Sequence, residues 1–423
     1  MTQTSTRRSR KQRTPAGPRK RTTTRSPQAR SPQARSNQPR SRPKQAARTQ
    51  TRSQPKRSAS ITVSHSATPF LILLGLVISF SLLGLTMVLS ASSVTSLTTT
   101  GSPWGQFISQ AMWLAIGVVA CATAAIIDHR ILRRLTIPAL IAALVFLVLV
   151  LLPGFGVSVN GAQRWLRLGP VQFQPSEVAK LALVLFAADN LARSKVVDAS
   201  RSLKPILAVL ITFGTLILLQ PNLGTAIILF VIGISALFAS GIRFWVISIL
   251  GILSATVVGL LAYFVPFRRA RLLAFRDPWS DPLDTTWQTL NSLVSVANGG
   301  VTGVGIGESR GKFGFLPEAH NDFVFAVTAE EFGLVGAATV VAGYVIFGLV
   351  ALVIARRADR FGALLVIGIA SWIVVQAFIN IGGVLGVMPI TGVPLPFMSA
   401  GGTSLVVTLA AVGVMLNVAR SSR

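Results

Sequence analysis

A short segment between two long apolar runs carries residues suited to acid–base chemistry beside phosphate. It reads "RDPWSDPLDTTWQ" and spans 276–288. An aspartate such as Asp277 or Asp281 can act as a general base, and the planar guanidinium of arginine binds phosphate oxygens in bidentate fashion. Some of these charges could simply pair in a solvated loop, as Arg276 with Asp277. As a group they favour a site for a membrane-anchored pyrophosphate. The arginines just before or at the start of the segment are Arg268, Arg269, Arg271 and Arg276.

The stretch "GAQRWLRLGPVQFQPSEVAK" (161–180) holds two further charged pairs. Arg164 and Arg167 are three residues apart, so a helical turn would place both guanidinium groups on one side. The Pro-Ser that follows favours a helix start, which puts Glu177 in the first turn, where the helix dipole favours an anion. Glu177 and Lys180 then share one helix face. This spacing is equally consistent with substrate binding and with an ion pair that lets two charges enter a membrane helix.

A glycine-rich stretch at 299–333 contains five titratable residues of interest. Two of them, Glu330 and Glu331, lie about two turns into an apolar run, where carboxylates are costly unless they line a cavity or find partners. Adjacent helical residues point about 100° apart, so we expect one to bind substrate and the other to tie helices together. The remaining three cluster just before that run and are Glu318, His320 and Asp322.

The segment "MPITGVPLPFMSAGGTS" (388–404) predicts a rigid re-entrant turn, because it combines three prolines with several glycines. Gln376 and Asn380 precede it on an apolar run and lie four residues apart, so they share a helix face. The favoured interpretation of these two amides is hydrogen bonding between helices in lipid.

The composition predicts the elements that position these residues. The chain is 51% hydrophobic and only 13% charged, with a mean hydropathy of +0.62, which indicates an all-α polytopic integral membrane protein. We predict ten transmembrane helices within 69–418, with a large extracytoplasmic loop, 265–322, between the seventh and the eighth. The apolar runs span 69–91, 106–126, 134–152, 175–191, 204–219, 223–240, 243–264, 323–355, 361–388 and 399–418.

Basic residues predict the orientation. Residues 1–68 form a Ser/Thr/Pro/Gln/Arg-rich basic tail that cannot bury a core, so we expect a disordered cytoplasmic segment touching anionic lipid rather than nucleic acid. With the tail inside, each predicted cytoplasmic loop carries Arg or Lys, and 419–423 is a cytoplasmic C-terminus. The outward loop 265–322 breaks this rule, since it holds six basic and six acidic residues. Such an exception invites a functional explanation.

The small number of cysteines and histidines restricts the metal and redox chemistry that the chain can support. The chain has one cysteine, Cys121, and three scattered histidines, which excludes an intramolecular disulfide and makes a zinc site unexpected. A bound metal would be a hard cation on carboxylates. We therefore expect at most a divalent cation, Mg or Mn, with Asp281 as a candidate ligand, and no organic cofactor.

Together the motifs resemble the SEDS family of ten-span membrane proteins, over residues 69–418. They are "QRWLRLGPVQFQPSEVAK", "QPNLGTA", "DPWSDP", "GIGESRGKFGFLPEAHNDFVFAVTAEEFG" and "TGVPLPFMSAGG". The resemblance implies a peptidoglycan glycosyltransferase that polymerises lipid II on the outer face of the cell inner (cytoplasmic) membrane, at the division septum. It also implies a class B penicillin-binding protein (the transpeptidase) and other division proteins as partners. Alternatives are the same polymerase serving cell elongation, a lipid II flippase and, more distantly, a non-catalytic scaffold.

The resemblance also implies roles for residues. The essential aspartate of the family lies in a "DP" of the large outward loop. Asp277 and Asp281 both fit, and we place the general base at Asp281 because the first family position is often Asn. Arg164, Glu177 and Lys180 would line a central cavity, with Glu318, His320 and Asp322 at its rim. The chain departs from the family pattern at Asn222 (usually Asp), Asn291 (usually Gln) and Ala400 (often Tyr), and Asn222 leaves open what its turn contributes to charge or metal binding.

Overall fold

The computed structural model describes residues 67–159, 161–169, 171–193, 199–264, 269–271, 275–283 and 286–422. The predicted basic tail, 1–68, lies outside the described residues except for its last two positions. Arg268, Asp284 and the final residue of the chain also lie outside them.

Helices make up most of the described chain, as the apolar runs predict. Each of the ten runs coincides with a helix, while α8 is an additional helix inside the predicted outward loop. The helices are α1 (Thr68–Thr100), α2 (Gly105–Ile126), α3 (Leu132–Leu149), α4 (Pro175–Arg193), α5 (Ala199–Leu219), α6 (Leu223–Ala239), α7 (Phe244–Phe264), α8 (Trp287–Asn298), α9 (Val324–Arg357), α10 (Arg360–Val384) and α11 (Gly402–Ser421).

Eight helices in the described part of the chain are long and apolar enough to cross a membrane. Of the other two predicted spans, α6 has only 17 residues, and α4 carries four charges, at Glu177, Lys180, Asp189 and Arg193. The class of polytopic helical membrane protein is therefore confirmed, whereas the number of ten spans stays a prediction.

The all-α prediction misses a small antiparallel sheet, β1–β2–β3, between α3 and α4. Its strands are β1 (Gly156–Val159), β2 (Ala162–Leu168) and β3 (Val171–Phe173). The segment is too short and too polar to register as an apolar run, although Gly161 and Gly169, with φ of +75° and +65°, mark the two turns that join the strands. The sheet also overturns the helical turn considered for Arg164 and Arg167. Strand residues three apart point to opposite faces.

Helix α9 is interrupted near its start. Gly333 has φ 66° and ψ −164°, a conformation essentially restricted to glycine. The backbone of 300–305 fills the interruption: Val304 N donates to Glu330 O at 3.0 Å, and Leu334 N donates to Gly300 O at 2.9 Å. Amides freed by the broken helix are thus satisfied by the outward loop, as backbone at membrane depth requires.

The helices differ in how much of their surface is buried. α10 packs against α4, α6, α9 and α11 and is mostly buried, as is α11, whereas α7 is almost wholly exposed. A helix buried on all sides can carry polar groups only where they find partners. This makes the polar residues of α10 informative about the site below.

Candidate active site

A cavity of about 1370 Å³ lies where α2, α4, α6, the sheet and the segments 317–323 and 390–402 meet. Its uncharged polar lining includes Gln106, Gln110, Gln172, Gln174, Asn222 and Gln288. Six of the charged or titratable residues singled out in the sequence also line it, and these are Arg164, Glu177, Arg271, Glu318, His320 and Asp322. The fold therefore gathers residues from distant motifs around one polar space.

Glu177 enters the cavity from the first turn of α4, as predicted. Its Oε1 lies 2.9 Å from Lys180 Nζ, and both side chains are buried. The other oxygen, Oε2, is buried without a hydrogen-bond partner among the described residues. One side of the carboxylate is thus neutralised, while Glu177 also contributes to the cavity lining.

Lys180 lies behind the cavity lining and links α4 to α10. Its Nζ donates to Gln376 Oε1 at 2.9 Å and lies 4.5 Å from the centroid of the Trp372 ring. Gln376 also accepts from Trp372 Nε1 at 2.8 Å and donates through Nε2 to Pro394 O at 2.8 Å. The charge pair is therefore connected to the re-entrant segment through one amide.

Arg164 and Arg167 fall on opposite faces of β2. Arg164 lines the cavity and donates through Nε to Gln220 O at 3.2 Å and through a second nitrogen to Pro221 O. Its guanidinium thus also satisfies carbonyls at the turn between α5 and α6. Arg167 is exposed and is not among the lining residues. The structure does not bring the two arginines together.

Asn222 occupies the same turn and begins α6. Its Oδ1 accepts from Thr225 N at 3.2 Å, the ordinary N-cap interaction, for which Asn and Asp serve about equally well. The residue is buried and lines the cavity. The departure from the usual aspartate therefore keeps the cap and removes one negative charge from the cavity.

Asp322 is surrounded by charges of both signs. Burial and the nearby Glu318 raise the pKa of Asp322 to about 6, although Arg271 and Arg164 act in the opposite direction. Burial lowers the pKa of Arg271 while Asp322 raises it, and burial lowers the pKa of His320 against the effect of Glu318. The rim thus combines the guanidinium groups of Arg164 and Arg271 with the Asp322 carboxyl group, whose pKa is about 6.

The remaining arginines of the outward loop are placed differently. Arg269 is exposed, with its guanidinium carbon 5.1 Å from the centroid of the Tyr263 ring, and does not line the cavity. Arg271 does line it, and its NH1 donates to Ile390 O at 3.4 Å. Arg268 lies outside the described residues.

Asp281 is half-buried and is not among the residues that line the cavity. Its carbonyl accepts from Thr286 N at 3.2 Å and from Thr286 Oγ1 at 2.5 Å, which closes the loop just before α8. Asp277 is exposed, and its Oδ1 accepts from Trp279 N at 3.2 Å. The catalytic role of Asp281 therefore stays a prediction, because in this structure its carboxylate is outside the cavity lining.

The two glutamates of α9 connect it to the outward loop and to α1. Glu330 accepts from Ser309 Oγ at 2.5 Å, from Arg310 N at 3.2 Å and from Gly311 N at 3.4 Å. Glu331 accepts from Ser90 Oγ of α1. Both are buried, and neither lines the cavity. The donors to Glu330 in this structure are all protein groups and both glutamates tie elements together, so a substrate contact of Glu330 stays a prediction.

The described residues contain no group of three or more His, Cys, Asp or Glu side chains that could hold a metal ion. A preassembled protein site for a divalent cation does not fit this part of the chain. Asp281, the predicted metal ligand, belongs to no such group among the described residues, and its role as a ligand stays a prediction.

The sequence did not predict the backbone partners of the two side-chain amides of α10. Gln376 and Asn380 were expected to hydrogen-bond between helices. Gln376 does so with Lys180 of α4, and both amides donate to carbonyls of the re-entrant segment. Their four-residue spacing on an otherwise apolar run was the available signal. The backbone partners could not be identified from the sequence, because a carbonyl carries no side-chain signature.

Fold and site together define a class: a polytopic helical membrane protein with a charged polar cavity that opens among its helices. The sequence model of the FtsW/RodA/SpoVE family, described as "Cell cycle protein", matches residues 70–423. The chain belongs to this family, as the SEDS motifs predicted.

Relatives and solved structures agree with this assignment. The chain is 40% identical over 360 residues to the "probable peptidoglycan glycosyltransferase FtsW" of Nitrosococcus halophilus, covering 84% of this chain and 93% of the relative. It is 38% identical over 365 residues to the protein of the same name from Coxiella burnetii, covering 85% and 97%.

Two solved structures share the fold. One, from work titled "Structural coordination of polymerization and crosslinking by a peptidoglycan synthase complex", has a TM-score of 0.67 and 30% identity, covering 83% of this chain and 97% of that one. The rod shape determining protein RodA of Thermus thermophilus has a TM-score of 0.62 and 28% identity, covering 82% and 96%. The SEDS resemblance of the motifs is therefore confirmed, and the chain is similar both to proteins named FtsW and to RodA.

Proposed function

We propose that this chain is a peptidoglycan glycosyltransferase that polymerises lipid II into glycan strands on the outer face of the cytoplasmic membrane during cell division. The observation that carries the proposal is the cavity, which brings Arg164 and Arg271 together with Glu177 and Asp322 in a chain of this family. Relatives named FtsW as peptidoglycan glycosyltransferases support the activity and the division role.

The reaction requires a base and a stabilised leaving group. A sugar 4-hydroxyl of one lipid II attacks the anomeric carbon of another, and the bond from that carbon to undecaprenyl pyrophosphate breaks. The hydroxyl proton passes to a carboxylate, the role we assign to Asp281. Because Asp281 lies outside the cavity lining, the proposal includes movement of the segment 275–283 toward the cavity when substrate binds.

Fixed cations stabilise the charge that develops on the departing pyrophosphate. Arg164 and Arg271 line the cavity and are the first candidates. Arg268 and Arg269, which precede Arg271 in the outward loop, are further candidates. No acid is needed to protonate the leaving group, unlike the carboxylate pair of glycoside hydrolases. A divalent cation, Mg or Mn, would have to take most of its ligands from pyrophosphate and water rather than from the described side chains.

Partners and location complete the proposal. We place the protein at the division septum with both termini in the cytoplasm, beside a class B penicillin-binding protein that supplies the transpeptidase. The related synthase complex, whose title joins polymerisation to crosslinking, supports such a pairing. The basic cytoplasmic loops support the orientation.

The test is polymerisation of labelled lipid II by the protein co-purified with its class B partner, with products resolved on a gel. We expect glycan chains from wild type and a loss of about a hundred-fold or more for Asp281→Asn, the usual scale of a lost general base. Asp277→Asn, which alters the neighbouring exposed aspartate, is the matched control and should keep its activity.

Each result separates the alternatives. Equal chain formation by Asp281→Asn and wild type would remove Asp281 from the mechanism, and loss in Asp277→Asn alone would move the role there. No chains from wild type, with lipid II still transferred between leaflets of a vesicle, would favour the flippase. Binding of each variant to the partner checks that it is folded.

A further inference from the structure

Asn380 joins two peptides that border the cavity. Its Nδ2 donates to Asp322 O at 2.7 Å and to Val393 O at 2.8 Å. Both partners are carbonyl oxygens, so both amide hydrogens are used and the orientation of the amide follows from its partners. Asn380 therefore connects the segment that carries Asp322 to the re-entrant segment.

Packing alone does not explain an asparagine at this position. Asn380 is buried on α10, and its Oδ1 has no hydrogen-bond partner among the described residues. A buried acceptor without a partner is destabilising, a cost that an apolar side chain of similar size would avoid. The two donated hydrogen bonds are the evident reason for the amide.

Both hydrogen bonds and close packing hold the Asp322 segment against the re-entrant segment. The void among Asp322, Asn380 and Gly392 is only about 10 Å³, too small to admit another group. A Cβ at Gly392 would lie 3.4 Å from Asp322 Oδ2, so the carboxylate lies against the re-entrant segment. Loss of the amide would remove both hydrogen bonds that connect the Asp322 peptide to Val393.

We propose that Asn380 is a positioning residue for this reaction: it fixes the Asp322 peptide against Val393 and so holds the Asp322 carboxylate opposite Arg164 and Arg271. This inference rests on the proposed polymerase function, in which those arginines meet the pyrophosphate. Asn380 itself does not line the main cavity and acts through Asp322.

The charged groups around Asp322 make the effect measurable. Glu318 faces it from the same segment, Arg271 from the outward loop and Arg164 from β2. Neither the nearby part of α10 nor the segment 389–401 carries an ionisable side chain. With a pKa of about 6, Asp322 is ionised above pH 6, so wild-type activity should fall as the pH drops through that value. The arginines lower this pKa, so moving Asp322 away from them should raise it and shift the acid limb to higher pH.

The experiment compares Asn380→Leu, Asn380→Ser and wild type in lipid II polymerisation between pH 5 and 8. Leucine keeps the approximate volume and removes both donors, whereas serine keeps one donor. We expect Asn380→Leu to lower kcat by about ten- to a hundred-fold, the scale of a small misplacement in an active site, with a smaller change in KM. Its acid limb should move up by about half a pH unit or more, and Asn380→Ser should lie between the two.

Ser371→Ala is the matched control on the same helix. Its hydroxyl lies 2.7 Å from Ser235 Oγ, bridging α10 to α6, and neither serine lines the cavity. This variant should leave kcat and the acid limb unchanged. Melting temperatures of all variants allow rates to be compared at equal folded fractions.

Two negative results have different meanings. If wild type polymerises and folded Asn380→Leu matches it in kcat and acid limb, the positioning role is refuted. If kcat falls for Asn380→Leu without a shift of the acid limb, the role through Asp322 is also refuted. If wild type itself forms no chains, the proposed function fails instead.

Discussion

Glu330 and Glu177 are buried carboxylates with different kinds of partner. Glu330 takes its donors from backbone amides and a serine, whereas Glu177 has a lysine at 2.9 Å. The first arrangement fixes a loop. The Glu177–Lys180 pair lies beside the cavity. It either binds substrate or only stabilises the fold, and these two roles predict different results for the variants below.

Lys180→Met leaves Glu177 as a buried carboxylate without its cation. Removing one partner of a buried ion pair typically costs about 3–5 kcal/mol, so we expect a large loss of stability. Thermal unfolding in detergent measures it.

The double variant Lys180→Met/Glu177→Gln separates the two interpretations. It removes both charges, so most of the lost stability should return. Polymerase activity that returns with it would assign the pair a structural role. Activity that stays low in a stable double variant would place the pair in substrate binding.

The break in α9 is the feature that matters most at the element scale. Gly333 lies in close contact with the backbone of 301–303, so a Cβ there would come within 2.4 Å of Gly303 N and 2.5 Å of Val301 O. Since the same loop also donates to Glu330, the break fixes the outward loop to the membrane helices.

Gly333→Ala should unfold at a clearly lower temperature than wild type. The φ of 66° is unfavourable for alanine, a strain of about 1–3 kcal/mol, and the backbone clash adds to it. Gly348→Ala on the same helix is the control, because its Cβ would meet only Val374 Cγ2 at 3.5 Å. An equal effect of both substitutions on the melting temperature would show that the break does not depend on glycine.

At the scale of the whole molecule, charged residues are distributed differently at the two ends of the helices. The cavity and the outward loop lie at one end of the helices, while the arginine-rich connections lie at the other, as at the junction of α9 and α10. The excess of basic residues in these connections is the basis for assigning them to the cytoplasm.

Single cysteines test this orientation in intact cells with a membrane-impermeant maleimide, on a Cys121→Ser background. Ser280 and Arg356 are both exposed. We expect Ser280→Cys in the outward loop to be labelled and Arg356→Cys to be labelled only after the membrane is permeabilised. The reverse pattern would invert the topology and place the proposed site in the cytoplasm.

The sequence by itself determined the helical membrane class, the family and the six cavity-lining residues that were singled out. Long apolar runs leave few alternatives, because a spanning helix must satisfy its own backbone in lipid. Glu177 and Lys180 were correctly paired because their three-residue spacing is a local property of one helix.

Only the tertiary structure decided the relations between elements. Arg164 separates from Arg167 because their segment forms a strand. Glu330 lies outside the cavity lining and takes its donors from the loop at 309–311. The role of Asn380 depends on its hydrogen bonds to Asp322 O and Val393 O, which lie 58 and 13 positions away in the chain. Such contacts depend on how helices and loops pack, which residue types and spacing within one segment do not specify.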